Sequence, residues 1–165
     1  MAPSQELDTV LEMIRVRAAE VRKTVDDDRL SYERIMSTLP LDDDIETKRV
    51  GANGVAAEWI WAPESEEGRV ILYLHGGGYV FGSVRTHRVF LAHLARATKA
   101  RVLALDYRLA PEMPFPAPVE DTVSAYRWLL SQGISPKNIA IGGDSAGGGL
   151  VVAALVALRS VGEPI

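Results

Sequence analysis

Hydrophobic and polar positions along the chain change their spacing near residue 40. Before that point apolar residues recur every three or four positions, which predicts amphipathic helices. A shorter helical stretch follows the acidic run 26–28 and ends at Pro40, and the acidic run 42–44 is interpreted as a linker. The longer, first predicted helix begins behind Ser4, and its apolar face consists of Leu7, Val10, Leu11, Ile14, Ala18 and Val21.

A strand spacing replaces the helical one after residue 46. Residues 47–50 and 55–61 flank a short loop that contains Asn53 and Gly54. Apolar side chains alternate through the second of these segments, as expected for a hairpin with one buried face. The alternating positions are Val55, Ala57, Trp59 and Trp61.

Strands and helices then follow one another along the chain. Short apolar runs occupy residues 70–74, 102–105 and 139–141. Each is followed by a loop and a helical pattern, and the helices are predicted at residues 86–97, 119–130 and 146–161, with Gly133 after the second as its stop signal. Such repetition implies a parallel sheet, and the fold class is therefore α/β.

The composition limits the partners that the protein can have. Of the 165 residues 47% are apolar, which is enough for the core of one domain, and the net charge of −4 offers no basic surface for nucleic acid or anionic membrane. Without cysteine, disulfides and thiolate chemistry are excluded.

The first twelve residues carry no long apolar run, so neither a secretory signal nor a membrane span is expected, and a cytoplasmic protein is predicted.

The motif with the clearest chemistry is Gly143-Asp144-Ser145-Ala146-Gly147, between a predicted strand and a predicted helix. A serine at such a turn adopts a strained backbone that exposes its hydroxyl at the helix N-terminus, where free amides favour an oxyanion. Ser145 is therefore a candidate nucleophile. Asp144 is expected to face away from Ser145 and to bond the neighbouring loop. The alternative is a glycine-rich turn that simply joins strand to helix.

A second motif, His75-Gly76-Gly77-Gly78, follows the strand at residues 70–74. It matches the HGGG type, whose glycine amides can point inward to bind an oxyanion. For His75 we favour hydrogen bonding that supports the loop over a role as catalytic base. A third stretch, Asp106-Tyr107-Arg108-Leu109-Ala110-Pro111-Glu112, follows the next strand and leads into a proline-rich loop.

In this order and spacing the three stretches resemble those of the hormone-sensitive-lipase-like esterases, the bacterial family IV described by HGGG and GDSAG. The resemblance covers about residues 41–165 and implies an α/β-hydrolase fold, with a mostly parallel sheet and flanking helices. It implies that residues 41–165 are the first part of the catalytic domain. Residues 1–40 would form an N-terminal helical cap segment.

The same resemblance assigns roles to residues of the motifs. It implies that Ser145 is the nucleophile and that the amides of Gly77, Gly78 and Ala146 form the oxyanion hole. Gly76 would shape the same loop. The stretch 107–112 would organise the loops around the site without taking part in the chemistry.

The partners that Ser145 needs are missing from the chain. A serine hydroxyl requires a histidine as base and a carboxylate to orient that histidine, and in this fold both follow the serine. After Ser145 the chain contains one carboxylate, Glu163, and no histidine. His87 and His93 precede the serine and are expected to lie on the surface or in a pocket wall. The triad acid and histidine are therefore predicted to lie outside this chain, and the fold looks interrupted after the nucleophile helix.

The resemblance implies a carboxylesterase or lipase-like serine hydrolase acting on short to medium acyl esters through an acyl-enzyme. Neither metal nor cofactor is expected, and a homodimer paired through sheet edges is left open.

The alternatives to an esterase are a non-catalytic α/β-hydrolase-like binding domain or an inactive truncated fragment. A nucleotide-binding P-loop is disfavoured because Gly148 and Gly149 stand where it needs Lys and Ser or Thr. The three histidines match no zinc-binding pattern.

Overall fold

A computed structural model describes residues 4–19 and 24–165, and of residues 17–19 it describes the backbone alone. Val21, which was placed on the apolar face of the first helix, lies outside the described residues. The helices are α1 (Gln5–Ala19), α2 (Val25–Met36), α3 (Val84–Thr98), α4 (Ala117–Ser131) and α5 (Ala146–Ser160), with a 3-10 turn at Pro136–Asn138. The strands are β1 (Glu46–Ala52), β2 (Val55–Trp61), β3 (Glu66–Leu74), β4 (Ala100–Leu105) and β5 (Ile139–Gly143).

The five strands form one mixed sheet in the order β1-β2-β4-β3-β5. β1 and β2 are an antiparallel hairpin, and β2 runs antiparallel to β4. β4, β3 and β5 are parallel to one another. The prediction of an α/β fold with a mostly parallel sheet and flanking helices is confirmed.

Helices cover both faces of the sheet. In β3 the side chains of Leu72 and Leu74 face the core beneath α4 and α5, whereas Tyr73 faces the core beneath α3. In β4 Leu103 faces the core beneath α4 and α5, and Val102 faces the core beneath α3. Because both faces are buried, the parallel strands are continuous apolar runs in the sequence.

The predicted hairpin is present, but the expectation of one buried face is wrong for β2. Ile60 is fully buried and Glu58 is 4% exposed, on the face opposite to that of Val55 and Ala57. The reason is that β2 lies inside the sheet, between β1 and β4, and contacts both α3 and α4.

Helix α2 begins earlier and ends earlier than predicted. The acidic run 26–28 belongs to its first turn, and Thr24 forms a capping box with Asp27, in which each side chain accepts from the other residue's backbone N–H. Carboxylates at this end suit the helix dipole. The helix ends at Met36, and the side chains of Ser37 and Thr38 donate to carbonyls of its last turn.

The first two helices lie together at one end of the chain. α1 contacts α2, and α2 contacts α3. The assignment of residues 1–40 to a cap and residues 41–165 to a catalytic domain stays a prediction. In the described ranges, every helix is too short or too polar to cross a membrane.

Candidate active site

The two glycine-rich motifs lie side by side at the carboxyl edge of the sheet. β3 and β5 are adjacent parallel strands, and Leu74 at the end of β3 is in register with Gly143 at the end of β5. The chain therefore delivers His75 and Gly76 from one strand next to Asp144 and Ser145 from the other. Ligand and catalytic sites of open α/β sheets form at this edge.

Ser145 lies in the sharp turn between β5 and α5. Its backbone has φ 49° and ψ −119°, a conformation that costs a non-glycine residue on the order of 1–3 kcal/mol. The turn is tight enough that a Cβ at Gly147 would collide with the carbonyl oxygen of Leu74. Ser145 is exposed and is the N-cap of α5, although its side chain makes no capping hydrogen bond. Its hydroxyl is thus free to face a substrate.

The glycine turn after β3 holds its amides in an unusual orientation. Gly77 has φ 129° and Gly78 has φ 61°, both in the left-handed region that favours glycine. The carbonyl of Gly77 accepts hydrogen bonds from the amides of Val80 and Phe81, both at 3.0 Å, which closes the turn.

Three backbone amides at this edge remain available as donors. Within the described part of the chain, the amides of Gly77 and Gly78 donate to no protein acceptor. The amide of Ala146 belongs to the first turn of α5, where helix geometry provides no acceptor for it. Amides without a protein acceptor, beside a serine in a strained turn, can bind a developing oxyanion.

Asp144 joins the two motifs. Its Oδ1 accepts a hydrogen bond from the amide of Gly76 at 2.8 Å and from the hydroxyl of Tyr73 at 3.0 Å. Nε2 of His87, on α3, lies 3.3 Å from the same oxygen. Burial, followed by the charge of Asp144, raises the pKa of Tyr73 above its ordinary value, so its hydroxyl keeps its proton and donates. The carboxylate thus bonds the neighbouring loop at Gly76.

His75 is buried beneath the glycine turn. Its Nδ1 lies 2.8 Å from the carbonyl oxygen of Gly76, and its ring stacks on that of Tyr107 with the centroids 4.3 Å apart. Burial lowers the pKa of His75 to about 4, so the ring is neutral near pH 7 and can donate from Nδ1. The Gly76 peptide is thus held at its N–H by Asp144 and at its C=O by His75.

The stretch 107–112 supports the same loop from below. The hydroxyl of Tyr107 donates to the carbonyl of His75 at 2.6 Å, and the amide of Ala110 donates to the carbonyl of Tyr79 at 2.8 Å. Arg108 is fixed by Asp121 of α4, which accepts from both its backbone amide and its guanidinium. These contacts make the stretch a support for the glycine turn.

An apolar cavity of about 380 Å³ opens beside the glycine turn. Gly78 and Tyr79 form one wall, and the proline-rich loop and helices α4 and α5 form the others. The remaining lining residues are Ala110, Met113, Pro114, Phe115, Pro118, Val119, Leu150 and Ala153. The cavity can accept an apolar group attached to a carbonyl held at the amides.

The histidines of the chain are engaged elsewhere than at Ser145. His75 bonds Gly76, His87 bonds Asp144 and the N-terminal turn of α3, and His93 is exposed on α3. His87 was expected on the surface or in a pocket wall, and it is instead 8% exposed, because the neighbouring loops and α2 pack over it. Among residues 4–19 and 24–165, no histidine forms a hydrogen bond with the Ser145 hydroxyl.

The sheet, the strained serine turn and the glycine turn are together typical of the α/β-hydrolase fold, and comparison with known proteins agrees. Residues 71–165 match the family model described as alpha/beta hydrolase fold. The chain belongs to the α/β-hydrolase fold family.

The relatives within that family include esterases, an acetyl-hydrolase and a solved structure from the bacterial hormone-sensitive lipase family. A crystal structure of an esterase from the bacterial hormone-sensitive lipase family is 69% identical and superposes with a TM-score of 0.96 over all of this chain and 56% of its own. An acetyl-hydrolase of Streptomyces hygroscopicus is 44% identical over 98% of this chain and 54% of its own length. An esterase of Acinetobacter venetianus is 35% identical over 79% of this chain and 43% of its own length. The resemblance that the motifs indicated is confirmed.

The chain spans about half the length of these relatives. This chain contains the two helices before the sheet, the five described strands and both glycine-rich motifs.

Proposed function

We propose that the protein hydrolyses carboxylic esters, with Ser145 as nucleophile. The observation that carries the proposal is the position of Ser145, in a strained turn beside amides of Gly77, Gly78 and Ala146 that have no protein acceptor. Relatives named as esterases and acetyl-hydrolases support it.

In the proposed reaction Ser145 Oγ attacks the ester carbonyl carbon and loses its proton to a general base. The carbonyl oxygen becomes an oxyanion, which the amides of Gly77, Gly78 and Ala146 bind. The bond to the alcohol oxygen then breaks, and the alcohol leaves with the proton from the base. Water attacks the acyl-enzyme by the same route, releasing the acid and restoring Ser145. No step requires a metal or cofactor.

The general base and its carboxylate partner are proposed to come from residues outside 1–165. His75 is buried and hydrogen-bonded within its loop, and His87 is hydrogen-bonded on α3. Asp144 holds Gly76 and Tyr73. We propose that His75, Gly76 and Asp144 support the oxyanion hole without exchanging protons with the substrate.

The apolar cavity beside Gly78 favours esters with a small apolar acyl group. Its volume of about 380 Å³ and its apolar lining suit short to medium chains. Cytoplasmic location and pairing into a homodimer stay predictions from the sequence and from the family.

The first test is the variant Ser145→Ala in the full-length protein, assayed with a chromogenic acetyl or butyryl ester. We expect turnover to fall by several orders of magnitude, because the nucleophile is lost, while the thermal unfolding temperature stays close to that of the wild type. Ser160→Ala, at the other end of α5, is the matched control and is expected to keep full activity. Retained hydrolysis in Ser145→Ala would refute the assignment.

A further inference from the structure

One face of α2 is bonded to the loop that follows the glycine turn. Arg29, Tyr32 and Glu33 are spaced three and four residues apart and so share one face of the helix. Arg29 donates from Nε to the carbonyl of Val80 at 2.8 Å, and the ring of Tyr32 meets that of Phe81 edge to face at 5.7 Å. Glu33 accepts a hydrogen bond from the Ser83 hydroxyl.

The rest of the Arg29 guanidinium is also hydrogen-bonded, including a bond from Nη1 to Oδ1 of Asp26 at 3.3 Å. Besides the bond to Val80, it donates from Nη2 to the carbonyl of Ala110 at 3.0 Å. Nη1 and Nη2 each donate to one carboxylate oxygen of Glu112, both at 2.8 Å. This hydrogen bonding lowers the pKa of Glu112 to about 2, so the pair stays ionised across the neutral range. A planar guanidinium can meet these acceptors together.

The contact with Val80 reaches the proposed oxyanion hole. The amide of Val80 donates to the carbonyl of Gly77, so Val80 is part of the hydrogen-bonded turn that orients the Gly77 and Gly78 amides. Arg29 donates from Nε to the carbonyl of the same residue, Val80. If that hold is lost, the turn can shift relative to Ser145, and oxyanion donors act only over a narrow range of distances.

We infer that Arg29 is a positioning residue for the oxyanion hole, which it holds by bonding the Val80 carbonyl from helix α2. The inference rests on the proposed function, because it assigns Arg29 to the reaction at Ser145. Arg29 acts through the main chain of the turn and does not touch the substrate. Its loss therefore weakens binding of the transition state more than binding of the ester.

The experiment compares Arg29→Met with the wild type in the full-length protein, using a chromogenic butyrate ester. We expect kcat to fall on the order of tenfold to a hundredfold with KM nearly unchanged, because the oxyanion donors are displaced. Affinity for an alkyl boronic acid, whose adduct with serine mimics the tetrahedral intermediate, is expected to fall by a similar factor.

Two further variants separate the contacts of Arg29. Glu112→Gln leaves the bond from Nε to Val80 in place, so its kcat is expected to fall much less than that of Arg29→Met. Arg29→Lys keeps the charge but lacks the fork that spans Val80, Ala110 and Glu112, so we expect it to restore little of kcat. Arg29→Lys carries the test if Arg29→Met does not fold. Arg34→Met, about 140° around α2 from Arg29, is the control and is expected to keep wild-type kcat.

Other results would overturn the inference. An unchanged kcat in a folded Arg29 variant, or a raised KM with unchanged kcat, would exclude a positioning role in the oxyanion hole. Equal losses in Glu112→Gln and Arg29→Met would place the effect in the 107–112 stretch and not at Val80. Hydrolysis that survives Ser145→Ala refutes the proposed function itself, whereas loss of activity in Ser145→Ala with unaffected Arg29 variants refutes the inference alone.

Discussion

The backbone of Gly77 is held where no other residue type fits. Its φ of 129° is outside the range of L side chains, and a Cβ there would overlap the carbonyl oxygen of Phe81. Gly77→Ala is therefore expected to displace the amides of the turn and to lower kcat/KM on the order of a hundredfold or more. The assay is ester hydrolysis by the full-length protein. The control is Gly51→Ala, where a Cβ meets nothing within 4 Å and full activity is expected.

The buried ring of His75 makes stability depend on pH. Its pKa is about 4 in the folded protein, against 6.5 as its ordinary value, so between these pH values the unfolded state binds more protons. We therefore expect His75 to lower the free energy of unfolding as pH falls from 6.5 to 4, by on the order of 3 kcal/mol.

Urea unfolding of the wild type and of His75→Gln at several pH values measures this effect. We expect the variant to lose less stability than the wild type between pH 6.5 and 4, whatever its stability at pH 7. Identical slopes in the two proteins would mean that His75 is protonated as readily in the folded state as in the unfolded one.

The glycine-rich turns of the candidate site, with His75 and Asp144 as supports of the loop, could be predicted from the sequence, whereas the contacts of Arg29 and His87 could not. Glycines around Ser145 and after His75 signal special backbone geometry within a few positions of the chain. Arg29 and His87 carry no such signal, because their partners lie far away in sequence. Arg29 meets Val80 and Glu112 across 51 and 83 positions. Only the fold brings these groups together.

Between elements, a buried ion pair joins β2 to α3. Glu58 is 4% exposed, and both its oxygens accept from Arg88, at 2.7 and 2.9 Å. Arg88→Met leaves this carboxylate buried with only the more distant Arg49 guanidinium, at 3.7 Å. We expect a loss of about 2–4 kcal/mol in the free energy of unfolding.

Denaturant unfolding measures this loss, and two other variants of the protein serve as comparisons. Arg69→Met removes an exposed pair with Glu66 and is expected to change stability by less than about 1 kcal/mol. The double variant Glu58→Met with Arg88→Met is expected to recover much of the loss, because no unpaired charge stays buried. A single variant as stable as the wild type would contradict the expectation.

Helix and strand positions followed the sequence pattern closely, and one error has a local cause while another has a long-range one. The acidic run 26–28 is predicted to precede the second helix, yet its carboxylates belong to the first turn of α2, where Thr24 and Asp27 cap the helix. The second buried face of β2 could not be foreseen, because it depends on β4, whose pairing with β2 spans more than forty residues. Nothing in the sequence near Glu58 indicates that Arg88 forms an ion pair with its carboxylate.

On the scale of the whole molecule, α5 carries an apolar face that the described residues leave open. Val152 and Val156 are 61% and 63% exposed, on the helix that begins at Ser145. β5, the strand before it, is an edge strand of the sheet. Exposed apolar stripes next to an open strand edge are usually covered in stable proteins.

We therefore expect the natural protein to be longer than this chain, as its relatives are. Intact mass spectrometry of the purified natural protein is the measurement, and a mass near twice 18.0 kDa, together with esterase activity, is expected. A natural protein of 18.0 kDa that hydrolyses esters would show that a base within residues 1–165 serves Ser145. The same mass without activity would favour the binding-domain alternative.

The strand order has a consequence for synthesis on the ribosome. β3 pairs with β4 and β5, β2 with β4, and β1 with β2, so every described strand finds its neighbours within the first 143 residues. Synthesis starts at the N-terminus and adds about 5–20 residues per second, so these strands exist before any later residue is made. The nascent chain can therefore complete the serine turn and the glycine turn as soon as β5 and the start of α5 have emerged. Catalytic geometry on the nucleophile side would then be established before the ribosome reaches any residue that could serve as its base.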